Sequence, residues 1–163
     1  MDIAVKIAII VTPIFIVVGF IFTYRQLVAS RAARMAEVIM RLTAQWDSDE
    51  LKRSRHKVKS NSERLKQGIE EAHRSNSEEL FDLVQVGNFF DTVGVLVAEG
   101  FLTRRIAYDL LGGPEESYFK IYRDILEDME YKNALKYFIK LHEAFQNEEA
   151  ERSKIPKAPR HPK

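Results

Sequence analysis

An uncharged apolar run near the start of the sequence restricts the fold of this chain more than any other feature. It covers the 18 residues from Ile7 to Tyr24 and consists mainly of Ile, Val and Phe. A helix of this length spans roughly 27 Å at about 1.5 Å per residue, which is close to the ~30 Å hydrocarbon core of a bilayer. Because a helix bonds every backbone group internally, as lipid requires, the run predicts a transmembrane helix in which Pro13 is tolerated.

The basic residues around this run predict its orientation. Lys6 precedes the run, and four arginines follow it closely: Arg25, Arg31, Arg34 and Arg41. The positive-inside rule therefore predicts a single pass through the inner (plasma) membrane, with the C-terminal part in the cytoplasm. A cleaved signal peptide is the alternative, since Leu27-Val28-Ala29 resembles a cleavage site, but the run exceeds the usual h-region of about 7–15 residues.

Helical periodicity continues beyond the run without a Gly or Pro until Trp46. Apolar residues recur there at helical spacing: Val28, Ala32, Met35, Ile39, Leu42 and Trp46. This amphipathic stripe either packs on the chain's own domain or pairs two copies as a short parallel coil. Fewer than three heptads are present, which favours the first interpretation.

Capping residues and helix-breaking residues divide the remaining chain into helices. Asp47 to Glu50 predicts a stop and a restart, and Ser77 predicts the start of a helix that ends at Gly100. Thr103 caps the next helix, and Gly112-Gly113-Pro114 is expected to end it and to start another. No segment shows the two-residue alternation of a strand, so an all-α bundle is predicted.

The sequence therefore predicts an N-terminal transmembrane helix followed by a small helical bundle. The expected boundaries are an anchor at 1–24, a juxtamembrane amphipathic helix at 25–46, the bundle at 47–152 and a basic, disordered, Pro-rich tail at 153–163. The helix after Ser77 is apolar on most sides and is the expected core, with a narrow polar strip. Its expected core residues are Leu80, Phe81, Leu83, Val84, Val86, Phe89, Phe90, Val93, Leu96 and Val97, and its strip is Asp82, Gln85, Asn88 and Thr92.

Charge is distributed unevenly along the chain, although the formal net charge is only +1. Residues 63–152 hold eleven Lys/Arg and nineteen Asp/Glu, whereas the flanking segments are basic. An acidic body disfavours a nucleic-acid partner for the bundle, because phosphate binding needs a basic face. The bases before it are instead candidate contacts for anionic lipid headgroups, each contributing on the order of 1 kcal/mol near the surface. These candidates are Arg25, Arg31, Arg34, Lys52, Arg53, Arg55, Lys57 and Lys59.

Residue patterns for catalysis or metal binding are missing from the sequence. The chain has no cysteine, and Glu70 and His73 have Glu-x-x-His spacing without the second copy that a di-metal bundle needs. Gly112-Gly113-Pro114 lacks the pattern of a phosphate-binding loop. His142 falls on the apolar stripe of the last helix and is expected to be a satisfied core residue. We therefore expect no enzyme activity, no cofactor and no metal.

Several runs of residues together resemble a known family. They are Asn88-Phe89-Phe90-Asp91, Leu96 to Leu102, Tyr108 to Gly113, and Tyr137-Phe138 with Leu141. They resemble a bacterial family of small proteins of unknown function, whose members have an N-terminal membrane helix, a Trp such as Trp46 soon after it, and a helical C-terminal domain. The resemblance covers most of the chain and implies this architecture, but it implies no catalytic residue.

The expected function is a membrane-anchored interaction or scaffold module that binds the lipid bilayer and either a protein partner or a second copy. Two alternatives remain open. The first is an effector that senses anionic lipid or nucleic acid through the basic segment 52–59. The second is an enzyme with an unrecognised pocket in the bundle, for which the residues to inspect are Glu70, His73, Asp82 and Asn88.

Overall fold

The computed structural model describes residues 3–63, 78–126 and 135–154, without the side chains of 3–18, 79 and 124–126. Within these ranges the chain is helical and contains no strand, so the all-α class is confirmed. The helices are α1 (Ile3–Trp46), α2 (Asp49–Ser60), α3 (Glu78–Ala98), α4 (Arg104–Leu126) and α5 (Lys136–Ser153). The predictions for Glu70, His73 and the tail from residue 155 onward lie outside the described residues.

Two compact units make up the chain, residues 1–40 and 41–163. In the first unit α1 is helical from Ile3 onward and so includes the backbone of the predicted span. The second unit includes the end of α1, where Leu42 is buried and Trp46 contacts the ring of Phe89. At Leu42 and Trp46, the interpretation that the stripe packs on the chain's own domain is therefore confirmed.

Helix α3 is the centre of the second unit and packs against α2, α4 and α5. Val86, Phe89, Phe90 and Val93 are each at most 1% exposed, as a helix that is apolar on most sides requires. Among the described residues, Leu80–Ala98 is also the segment whose length and composition would suit a membrane span. Core helices of soluble domains share those properties, and the contacts of α3 with three helices identify it as the core.

In α3, one residue of the polar strip and two apolar residues differ from the prediction in their burial. Phe81 and Val84, expected in the core, are 60% and 46% exposed. Asp82, expected on the outer strip, is buried, because its carboxylate accepts a hydrogen bond from Ser54 of α2. The strip therefore faces α2 at this end of α3, and the neighbouring apolar pair faces outward.

Aromatic rings fill the space between the helices. Phe90 stacks on Phe138 with ring centroids 4.9 Å apart, and its other neighbours include Trp46 at 5.7 Å and Tyr118 at 5.6 Å. Such pairs contribute about 0.5–1.5 kcal/mol each beyond the area they bury. The buried Tyr122 hydroxyl donates to the carbonyl oxygen of Leu83 at 2.5 Å, so the core of α4 is also bonded to α3.

The two helices α3 and α5 meet at Gly94. A Cβ atom at this position would lie 2.1 Å from the carbonyl oxygen of Tyr137 and 2.6 Å from its carbonyl carbon. No heavy atoms approach this closely without bonding, and the obstacle is backbone that cannot rotate away. Gly94 therefore allows the start of α5 to lie directly against α3.

One turn earlier on α3, Asp91 supplies the cap of α5. Leu135 occupies the N-cap position of α5 and offers no side-chain acceptor. Asp91 Oδ1 instead accepts hydrogen bonds from the amides of Tyr137 at 2.8 Å and Phe138 at 2.9 Å. Two of the unsatisfied donors at the helix start are thus bonded by a carboxylate from another helix, where negative charge also suits the helix dipole.

The expected break at Gly112-Gly113-Pro114 is wrong, because α4 continues through it from Arg104 to Leu126. Pro114 has no N–H to bond the previous turn, and two glycines precede it, so local propensity favours an end here. Packing overrides that propensity. Leu111 before the site and Tyr118 and Tyr122 after it are buried on one continuous face.

Replacing Gly94 with alanine is expected to destabilise the chain by about 1–3 kcal/mol or more, the usual effect of overpacking, because the methyl group collides with the Tyr137 backbone. Urea unfolding of the full-length chain, followed through fluorescence of the single tryptophan, measures the change. Asn88→Ala, on the exposed side of the same helix, is the control and should stay within about 0.5 kcal/mol. Equal effects of the two substitutions would contradict the close approach.

Removing the Asp91 carboxylate is expected to expose the start of α5. Asp91→Ala should lower the free energy of unfolding by about 1–2 kcal/mol, as for other lost caps. Asp91→Asn keeps an oxygen acceptor for the amides of Tyr137 and Phe138 and should recover most of the loss. If the asparagine variant is as unstable as the alanine variant, the hydrogen bonds are not the source of the stabilisation.

Candidate functional site

The predicted lipid-contacting bases divide between the two units. Arg25, Arg31 and Arg34 belong to α1 in the first unit and are exposed. Arg34 also donates within its own helix, to the carbonyl and the hydroxyl of Ser30, both at 3.3 Å. The other five bases belong to α2, and there the structure separates those that hold the bundle together from those that face outward.

Arg55 is bound to the protein. Its Nη2 donates to the carbonyl of Trp46 at 2.9 Å, and its guanidinium carbon lies 3.6 Å from the centroid of the indole ring. A cation over an aromatic face is stabilised by the ring quadrupole. Arg55 therefore joins the end of α1 to α2, and its charge is already partly satisfied.

Lys57 belongs to a polar network between α2 and α3. Its ammonium group pairs with Glu78 and lies 3.1 Å from Asp82 Oδ2, and the hydrogen bond to Glu78 is the main cause of its raised pKa. Ser54 Oγ lies 2.6 Å from Asp82 Oδ1 and 2.5 Å from Gln85 Oε1, so its single proton has two acceptors. The network joins α2 to α3.

The remaining bases of α2 share its outer side, which we call the basic face. It consists of Lys52, Arg53, His56 and Lys59, all exposed and within about 120° of one another at 100° per residue. Lys52 and Arg53 form no ion pair with any described residue, and the Lys59 ammonium lies 5.0 Å from the ring centroid of Tyr118. The basic face is therefore available to anions in a way that Arg55 and Lys57 are not.

A second group with unusual chemistry lies between α4 and α5. Glu115 is 1% exposed, and its Oε1 lies 3.1 Å from Nδ1 of His142. The imidazole stacks on Phe119, with centroids 3.6 Å apart and ring planes 6° from parallel. His142 is thus a packed, hydrogen-bonded residue, and Glu115 is the partner that sequence reasoning missed.

Burial shifts the pKa values of both Glu115 and His142. It raises the pKa of Glu115 to about 8, with the like charge of Glu116 adding to the effect, and it lowers the pKa of His142. A cavity of about 60 Å³ is lined in part by Glu115. Its lining consists of Tyr108, Gly112, Gly113, Glu115, Glu116, Phe145, Gln146 and Glu149.

A network of ion pairs joins the first half of α4 to the end of α5. Arg104 lies 3.1 Å from Glu148 and 2.8 Å from Glu151. Arg152 lies 2.9 Å from Glu148 and 2.6 Å from Asp109. All these charges have opposite partners, which indicates a structural role in the α4–α5 contact.

No group of three or more His, Asp or Glu residues in the described part of the chain is arranged to hold a metal ion. Of the residues to inspect for an enzyme, Asp82 is buried in the α2–α3 network and Asn88 is exposed. The signal that could have found Glu115 is its position in the sequence. It stands four residues after Leu111 and three before Tyr118, on the buried stripe of α4.

Comparison with known proteins places this architecture in a family. No curated protein and no solved structure matches the chain. A family model described as "Domain of unknown function (DUF4760)" matches residues 13–145, which include most of α1 and all of the helical bundle up to Phe145. The resemblance to a family of unknown function is thereby confirmed, and the chain belongs to the DUF4760 family.

Proposed function

We propose that this protein is a membrane-anchored helical module that binds a protein partner, or a second copy, on the cytoplasmic side. The observation that carries the anchor is the exposure of large apolar side chains around α1. Phe20, Ile21, Phe22 and Tyr24 are 57–73% exposed. Successive residues of a helix point about 100° apart, so no single protein face can cover them. A bilayer covers a helix from all sides.

The sequence on either side supports the same proposal. Ile7 to Tyr24 is long enough to span the hydrocarbon core, and Arg25, Arg31 and Arg34 follow on the side that the positive-inside rule assigns to the cytoplasm. The resemblance to a bacterial family with an N-terminal membrane helix agrees with this topology.

An interaction role for the bundle is supported by the use of its polar groups and by an exposed apolar pair. Ser54, Asp82 and Asp91 are used in holding helices together. Phe81 and Val84 form an exposed apolar pair on α3, a kind of surface that is typical of contact sites. Surface complementarity is then the mechanism, with the anchor fixing the location of the contact.

Arginines in the predicted span are expected to release the protein from the membrane. Each Arg near the centre of a span costs about 2.5–3.5 kcal/mol on insertion scales, so Ile14→Arg with Phe15→Arg should shift the chain from the membrane pellet to the supernatant after carbonate extraction. Val28→Arg, beyond the span on the same helix, is the control and should stay in the pellet. A wild-type chain found in the supernatant, or a mature N-terminus near Ala29, would refute the anchor.

A second candidate function is contact with anionic lipid headgroups through the basic face of α2. The favouring observation is that Lys52 and Arg53 are exposed and have no ion-pair partner among the described residues. Of the five bases of α2 that were predicted to contact lipid headgroups, Arg55 and Lys57 are bound within the bundle. Lys52, Arg53 and Lys59 remain as candidate headgroup contacts. Attraction of such bases falls off within a Debye length of the surface.

Reversing the basic face should weaken this contact specifically. In nanodiscs containing anionic phospholipid, a fluorophore on His56→Cys is expected to be quenched by spin-labelled headgroups, and Lys52→Glu with Arg53→Glu should reduce the quenching at least twofold. The chain has no native cysteine to interfere. Lys136→Glu with Lys140→Glu, two exposed bases of α5, is the matched control. Equal quenching in purely zwitterionic discs would exclude headgroup recognition.

A further inference from the structure

The buried carboxyl group of Glu115 has no part in the anchor or in the basic face, yet it is among the least exposed side chains of the bundle. A carboxylate buried to this degree without a positive partner is costly, whereas a protonated carboxyl is tolerated when it is hydrogen-bonded. Glu115 Oε1 lies 3.1 Å from the imidazole Nδ1 of His142. A neutral acid facing a neutral imidazole nitrogen satisfies both groups, with the O–H donating to Nδ1.

We propose that Glu115 and His142 form a proton-dependent latch, which holds α4 against α5 while the pair carries one proton and loosens that contact when the proton is lost. The pair connects the two helices directly, and Glu115 is the residue that follows Pro114. At that point α4 lacks a backbone hydrogen bond, since proline has no N–H, and two glycines precede it. Glu115 is also one of the residues that line the cavity of about 60 Å³.

The charged groups around the pair make loss of the proton unfavourable. From α4, Glu116 faces the pair and is itself bound to Lys120, and from α5 Glu143 acts on His142. Glu149 and Tyr108 line the adjoining cavity. From α2, the backbone carbonyl of Arg55 accepts a hydrogen bond from the Tyr118 hydroxyl, and the Lys59 ammonium lies over the Tyr118 ring, one turn further along α4. From α3, Asp91 is bound to the amides of α5. No described cation contacts Glu115 other than a protonated His142.

The direction of the pH dependence follows from the pKa shifts. The pKa of Glu115 is about 8 in the closed bundle and 4.5 when exposed, so the closed state holds one more proton between these values and is favoured at the lower pH. The pKa of His142 is lowered below 6.5, so its contribution is complete above pH 6.5 and is lost as the pH falls through the folded pKa. Between pH 6.5 and 8, Glu115 dominates, and the latch weakens as the pH rises.

Amide hydrogen exchange of the full-length chain in a mild detergent tests the latch. After correction for intrinsic exchange, protection of the amides of residues 115–122 and 138–145 should fall about tenfold between pH 6.5 and pH 8. Glu115→Gln still donates to His142 Nδ1 but cannot ionise, so its protection should be independent of pH. Glu99→Gln, which changes an exposed acid beyond the end of α3, should retain the wild-type change. Constant protection in the wild type, or a fall that persists in Glu115→Gln, would overturn the proposal.

A measurement on the wild-type chain alone covers the case in which Glu115→Gln does not fold. Nitrogen-15 NMR of the imidazoles, assigned with His142→Gln, should show an unprotonated Nδ1 at pH 7 and a titration below pH 6.5. A ring that titrates at or above pH 6.5 would mean that Nδ1 is not accepting the Glu115 proton, and the latch would be ruled out. The outcome does not depend on whether α1 enters a membrane, because both groups belong to the second unit.

Discussion

At Gly94 the backbones of α3 and α5 approach so closely that a single methyl group would meet the carbonyl of Tyr137. Asp91, one turn away, bonds the free amides at the start of α5, so the helices are joined by packing and by hydrogen bonds at the same place. This junction sets where α5 begins. Phe138 then stacks on Phe90, and His142, one turn later, is brought opposite Glu115 on α4.

On the opposite side of α3, α2 is attached mainly by polar groups. Ser54 and Lys57 both contact Asp82, and Ser54 also contacts Gln85. Arg55 lies over the ring of Trp46. Buried networks of this kind are stabilising only when every member is satisfied. Arg55 and Lys57 are thereby used in contacts within the bundle, whereas the residues of the basic face on the same helix are exposed.

Much of the architecture was predictable because it depends on local chemistry. The stop at Asp47, the cap at Ser48, the positive φ of Gly100 and the bounds of α3 follow from residues whose preferences act within one turn. The break at Gly112-Gly113-Pro114 was wrong for the same reason. Local propensity favours a helix end there, but the buried face formed by Leu111, Tyr118 and Tyr122 keeps the helix continuous.

By itself the sequence determined the helical class, the uncharged run of Ile7 to Tyr24, the basic flanks and most helix ends, since each depends on neighbours along the chain. The tertiary structure alone decided that Asp82 is inside and Phe81 outside, that Gly94 is a contact point, and that Asp91 caps a distant helix. It alone placed Glu115 against His142, 27 residues apart. Periodicity shows that a helix has two sides, but only the neighbouring helices determine what each side contacts.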